Sequence, residues 1–155
     1  MSNFSFECIE LNLQTPTEYF GRFIFKTLPT GHGITLGNVL RRVLLTNLPG
    51  TTIVGARIAG VNHEFSTIPG VREDVLEILL NLKDLIFKSG SSVSSIGRLK
   101  VQGPCIVTAD QLVLPTDVSL VNPTQYIATI SEKINFELEI KIESGTGYLL
   151  SENRL

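Results

Sequence analysis

Few residues in this sequence have types that could do chemistry, and their spacing argues against most of it. Glycines at 31, 33 and 37 stand where a phosphate-binding turn would lead into a helix. Their pattern is G-x-G-x-x-x-G, however, and no Lys-Ser/Thr pair follows to supply the basic residue and hydroxyl of a nucleotide loop. A tight turn at a helix entry accounts for them. His63-Glu64 begins like the H-E-x-x-H pair of a zinc protease, but position 67 is Thr, so the second ligand is missing. His32, the other histidine, has no Cys or acidic cluster near it and reads as a surface or interface residue. No serine lies in G-x-S-x-G, and no D-x-D-x-D run is present to hold Mg²⁺. No catalytic residue, metal site or cofactor is therefore expected. Arg41 and Arg42 are different. Adjacent arginines on a helix are usually solvated, but a planar guanidinium fork beside extensive apolar surface suits partner carboxylates and carbonyls, and interface centres are enriched in Arg.

Those arginines sit in the stretch around which the chain is organised, G-H-G-I-T-L-G-N-V-L-R-R-V-L-L-T-N-L-P-G at residues 31 to 50. A helix is predicted from Ile34 to Asn47, with Thr35 as its N-cap and Pro49-Gly50 as its end. On helical spacing Leu36, Val39, Leu40, Val43, Leu44 and Leu48 share a broad apolar arc that Ile34 and Leu45 widen. Asn38, Arg42 and Thr46 remain as a narrow polar strip, and Arg41 is set into the edge of the arc. A helix so widely apolar either lies deep in a large domain or buries a second side against a partner, and this chain is not large.

The remaining elements follow from periodicity and turn chemistry. Phe4 to Asn12 alternates as a half-buried strand, Thr15-Pro16-Thr17 is a turn, and Tyr19 to Leu28 is the returning strand of a hairpin. Residues 51 to 61 are β-rich. After a loop at 62 to 70, Val71, Val75, Ile78, Leu79, Leu82, Leu85 and Ile86 mark a second helix with one apolar stripe. Glu73 and Asp74 fall in its first turn and Lys83 and Lys88 toward its end, as the helix dipole prefers. Ser89 to Ser95 is a polar loop. Strands are then predicted at Gly97 to Gln102, Cys105 to Ala109, Gln125 to Ile130 and Ile134 to Ile142, separated by turns at Gly103-Pro104, Pro115-Thr116 and Asn122-Pro123. The fold class is α+β, two-lobed, with antiparallel sheets and two main helices.

With 155 residues the chain can bury a real core without disulfides or metals. Lys plus Arg number 13 against 15 Asp plus Glu, and no basic run occurs, so direct nucleic-acid binding is not expected. Cys8 and Cys105, far apart and outside any C-x-x-C, read as reduced, buried thiols of a reducing compartment. The N-terminus lacks a charged-then-apolar leader, and no run approaches the roughly 18 apolar residues of a membrane span. A soluble, intracellular protein is expected.

Two stretches carry a resemblance: residues 31 to 50, and I-A-G-V-N-H-E-F-S-T-I-P-G-V-R-E-D-V-L-E-I-L-L-N-L-K at 58 to 83; a weaker third is G-T-G-Y at 145 to 148. They resemble the N-terminal domain of the α subunit of bacterial-type RNA polymerase, in its cyanobacterial or plastid form. The resemblance implies a dimerisation lobe at 1–50, incomplete toward its C-terminal part, and an inserted α+β lobe at 51–155 that contacts the large subunits. It further implies a non-catalytic scaffold that dimerises and nucleates assembly of the β and β′ subunits of a nucleotidyltransferase complex, in the plastid stroma (chloroplast) or the cyanobacterial cytoplasm. Carried onto this sequence, the dimer interface falls on His32, Leu36, Val39 and Val43. The β-subunit contact falls on Arg42, Leu45, His63, Glu64, Ser66, Thr67, Glu77 and Lys83. The family's domain continues beyond the match, and of a fragment and a split subunit the second is favoured, its partners being a second α copy, a polypeptide supplying the missing α segment, or both. Two other readings stay open: a stand-alone homodimeric binding domain unrelated to transcription, and a small nucleotide-binding transferase that uses the glycine turn.

Overall fold

A computed structural model describes residues 5–15, 17–90 and 94–150. The expected start at Phe4, the turn residue Pro16, residues 91–93 of the polar loop and the terminal S-E-N-R-L lie outside the described residues. The chain divides into two compact units, Met1–Pro49 with Thr146–Leu155, and Gly50–Gly145. The second unit thus closes at Gly145, a different grouping from a lobe running through 51–155.

In the first unit, β1 (Ser5–Thr15) and β2 (Glu18–Lys26) form an antiparallel hairpin. Register shifts after Cys8, so Ile9 is passed over and Glu10 pairs with Arg22. Phe6 stacks on Phe23 with ring centroids 5.2 Å apart and lies 5.1 Å from Phe25, while Lys26–Glu7 and Arg22–Glu10 are ion pairs. Helix α1 (His32–Thr46) follows. Its N-cap is Gly31 and not Thr35: the His32 N–H donates to Pro29 O at 3.1 Å, and a left-handed Gly31 (φ 86) turns the chain into the helix before Ile34 is reached. At the other end the Asn47 N–H closes on Val43 O at 2.9 Å, and Pro49 prevents continuation.

The second unit holds the core. Its three-stranded sheet has the order β3 (Pro49–Ile58), β9 (Asn135–Thr146), β5 (Ser94–Gln102), with β9 antiparallel to β5 from Asn135↔Gln102 to Glu143↔Ser94. The strict alternation of I-N-F-E-L-E-I-K-I is realised in β9, where Phe136, Leu138, Ile140 and Ile142 are buried and Glu137, Glu139 and Lys141 face outward. On the outer face Glu139 receives both Arg57 (2.6 Å) and Arg98 (3.1 Å), and Lys100 meets Glu137 at 2.6 Å. Two short sheets complete the unit: β4 (Phe87–Ser89) with β7 (Val118–Leu120), and β6 (Cys105–Thr108) with β8 (Tyr126–Ile130). A 3-10 turn at Ala109–Gln111 ends the β6 segment one residue before its predicted limit.

Helix α2 (Val75–Lys83) packs on β8, burying Val75, Ile78 and Leu82 in the same core as Leu85, Leu99, Ile127 and Ile130. Each such side chain contributes about 1.5–3 kcal/mol when fully buried. The helix is shorter than its apolar stripe. Val71 and Arg72 are recruited to the edge of β8 (Val71 bridges Ile130; Arg72 N donates to Thr129 O at 3.0 Å), and after Asp84 the Asn122 side chain binds Asp84 O and Ile86 N. Asp74 is therefore the N-cap residue, Glu73 precedes the helix and is buried, and Lys88 belongs to β4. The cysteines are free but not buried: Cys8 is exposed in the coreless hairpin, and Cys105 is half-covered at the start of β6.

Candidate protein-interaction surfaces

The residues marked as interface candidates are distributed over both units, and each set is described within its own unit. In the first, His32, Leu36, Val39 and Val43 recur along α1 at i, i+4, i+7 and i+11, within about 60° of one helix face. None is buried: Leu36 is half-covered, and Val39 and Val43 are 52% and 44% exposed. Ile34, Leu44, Leu45 and Leu48 are also exposed, and among the described residues no side chain of this unit is buried. A 15-residue helix with an apolar arc and no buried residue is a surface, not a core element. Arg42 lies about 100° round the helix from Val43, and Leu45 a further 60° or so beyond it. Arg42 is exposed, and neither it nor Arg41 has an ion pair among the described residues.

In the second unit the loop between β3 and α2 carries His63, Glu64, Ser66 and Thr67. Ser66 is the half-covered member: its hydroxyl donates to His63 O at 2.7 Å, its N–H points to the same carbonyl, and its own carbonyl accepts the Val75 N–H at 3.2 Å. That local turn ties the loop to the first residue of α2 and leaves His63, Glu64 and Thr67 exposed. His63 and Glu64 share with Val61, Val75, Leu79 and Arg57 an open groove of ≈ 220 Å³. Glu77 and Lys83 are both exposed on α2, Glu77 in its first turn and Lys83 in its last. Three apolar residues nearby were not anticipated: Phe65 is 78% exposed at the loop tip, and Leu76 and Leu80 are exposed on the α2 face that also carries Lys83. Their signal was an i, i+4 leucine pair off the main stripe.

Behind the loop lies the one buried charged side chain among the described residues, Glu73. Its Oε2 accepts the Thr129 N–H at 2.6 Å, its Oε1 accepts the Tyr126 hydroxyl, and Tyr126 Oη also lies 2.5 Å from Thr129 Oγ1. The single phenolic hydrogen goes to the carboxylate, so the threonine hydroxyl donates to the tyrosine and a closed ring of three hydrogen bonds results. Burial foremost, then the Glu73 carboxylate, raises the Tyr126 phenol above its ordinary 10.0. Among the described residues no buried side-chain nitrogen or oxygen lacks a hydrogen-bond partner, those of the ring included. Among the described residues no group of three or more His, Cys, Asp or Glu side chains is placed to hold a metal ion, and no helix is long and apolar enough to cross a membrane.

Comparison with known proteins sets these surfaces in a family. Residues 56–155 match the profile of the RNA polymerase Rpb3/RpoA insert domain. The chain belongs to this family. Among similar proteins, the DNA-directed RNA polymerase subunit alpha of Porphyra purpurea is 57% identical over 152 residues, covering 98% of this chain and 49% of that protein. The subunits of the same name from Rhodomonas salina and Cyanophora paradoxa are 53% and 49% identical over 155 and 154 residues, again 49% of each. This Rpb3/RpoA chain thus spans about half the length of the curated relatives it matches. The family match lies mainly on the second unit, whereas the relatives align with both.

Proposed function

We propose that the chain is a non-catalytic assembly scaffold within a multisubunit DNA-directed RNA polymerase. In this reading α1 pairs through His32, Leu36, Val39 and Val43 with a second α copy, or with a polypeptide supplying further α-type sequence. Arg42 and Leu45, on the flank of that face, contact the β subunit together with His63, Glu64, Ser66, Thr67, Glu77 and Lys83, while β′ engages the other copy. The chain needs no cofactor and does not itself bind nucleic acid. It works in the plastid stroma or the cyanobacterial cytoplasm, a compartment that accords with two unpaired thiols.

The observation that supports this reading most strongly is α1, whose apolar arc has no buried member. Leucine and valine side chains gain about 1.5–3 kcal/mol each on full burial, so a partner covering this face recovers a driving force the unit does not realise by itself. The names of the relatives supply the partner class. Co-expression of tagged chain with the β and β′ subunits tests it: both large subunits are expected to co-purify. Arg42→Ala should reduce the recovered β by an amount equivalent to about 1 to 4 kcal/mol while leaving circular dichroism unchanged. Recovery of the chain alone as a monomer, or an Arg42→Ala variant that retains β as well as wild type, would refute the scaffold.

A further inference from the structure

We infer that Glu73 is a positioning residue, a latch that holds the His63–Thr67 loop in the conformation it presents to a partner. The inference rests on the reading of that loop as a contact surface and adds what fixes its shape. The latch is a continuous set of bonds. Gly70 O accepts the Ser131 N–H at 2.8 Å, Val71 bridges Ile130, and Arg72 N donates to Thr129 O at 3.0 Å, so residues 70–72 run as an extra edge beside the end of β8. The ladder has to end where the chain turns into α2. There the Glu73 side chain takes over, accepting the Thr129 N–H and the Tyr126 hydroxyl, so the last edge donor of β8 is satisfied by a carboxylate and not by backbone. From α2 the constraint returns to the loop, because the Val75 N–H donates to Ser66 O, and Ser66 in turn binds His63 O through both its amide and its hydroxyl. The loop is therefore tied on its C-terminal side at two places, at Ser66 by the Val75 amide and at 70–73 by the backbone ladder that the Glu73 carboxylate completes.

The position is also sterically committed. Gly70 is left-handed (φ 81), and a Cβ there would meet Glu132 Cβ at 3.1 Å and Ile134 Cδ1 at 3.2 Å, so the segment approaches β9's entry too closely for a side chain to secure it instead. Loss of the Glu73 acceptor would leave the Thr129 amide without a partner and the Tyr126 hydroxyl with Thr129 Oγ1 alone, and opening of 63–73 is the way to rehydrate the amide. Gln is a special case. Its carbonyl can accept the Thr129 N–H while its NH₂ donates to Tyr126 Oη, the phenol then donating to Thr129 Oγ1, so the ring survives with its direction partly reversed.

Hydrogen exchange on the full chain, with capture of the β subunit as a second readout, separates the two parts of the idea. Glu73→Ala is expected to speed exchange of the Ser66, Val71, Arg72, Val75 and Thr129 amides by about tenfold or more, with β5 and β9 amides near wild type and β capture reduced. Glu73→Gln should stay within about threefold of wild type on both. Tyr126→Phe, which removes the donor to Glu73 and the acceptor of the Thr129 hydroxyl but keeps the bond from the Thr129 amide to Glu73, should give the same loop-limited pattern at smaller size. Unchanged exchange in Glu73→Ala and Tyr126→Phe, or an increase spread equally over β5 and β9, would overturn the latch. Loop-limited exchange with undiminished β capture would overturn presentation, and with it the placement of the contact on His63–Thr67, while the scaffold itself would stand or fall on Arg42.

Discussion

At the scale of single residues, Glu73 shows why local sequence misplaces a side chain that tertiary structure claims. An acid just ahead of an apolar helical stripe looks like a helix-dipole partner, and Asp74 does occupy the N-cap. Glu73 instead turns inward, because Thr129 and Tyr126, more than fifty residues away, offer two donors where β8 loses its edge partner. Nothing in the spacing of E-D-V-L-E-I announces them. The Tyr126 partner carries a measurable signature. Its phenol is raised in the folded chain, so the stabilisation is complete below the ordinary value near 10.0 and is lost as pH rises through the raised value. Tyr126→Phe should unfold in urea with a stability lower by about 1 to 2 kcal/mol at neutral pH. That difference should hold steady to about pH 9 and shrink above pH 10 or so, since only wild type has a phenol to ionise. A difference that grows at alkaline pH would reverse the assignment. Cys8 teaches the converse lesson: its strand alternates as a buried strand does, yet the thiol is exposed because the apolar face of its hairpin has no core beneath it.

At the scale of elements, the two helices have similar patterns and opposite fates. α2 buries Ile78 completely, so Ile78→Ala should cost about 2–5 kcal/mol in thermal or urea unfolding. On α1, Val43 is exposed, and Val43→Asp should leave unfolding of the second unit within about 0.5 kcal/mol while abolishing self-association in sedimentation. A large stability loss in Val43→Asp would mean that α1 is packed within its own chain. The over-wide apolar arc of α1 was legible because periodicity measures how much surface wants burial, though not what buries it. Long elements were legible for the same reason: β9 alternates strictly, and α1 is bracketed by Gly31 and Pro49. The short ones were not. Phe87–Ser89 and Val118–Leu120 are three residues each, too brief for a period, and Asn122, with its side chain on Asp84 and Ile86, anchors the turn beside them. The apolar stripe overruns both ends of α2 because it continues into residues that pack on the core without being helical, buried Leu85 on one side and half-buried Val71 on the other.

At the scale of the whole molecule, buried and exposed apolar side chains are divided unequally between the two units. Every buried hydrophobic side chain among the described residues lies in Ile58–Ile142, within the second unit, whereas the first exposes Phe6, Leu11, Phe23 and, on α1, Leu40, Leu44 and Leu45. Under the proposed scaffold role, the second unit supplies its own core while the apolar surface of the first is offered to partners. The measurement that bears most directly on this is native mass spectrometry of the assembly purified through a tag on this chain after co-expression with β and β′. The account predicts a complex containing two α-type copies with one β and one β′ subunit. A lone monomer of this chain, stable in solution and free of both large subunits, would contradict it.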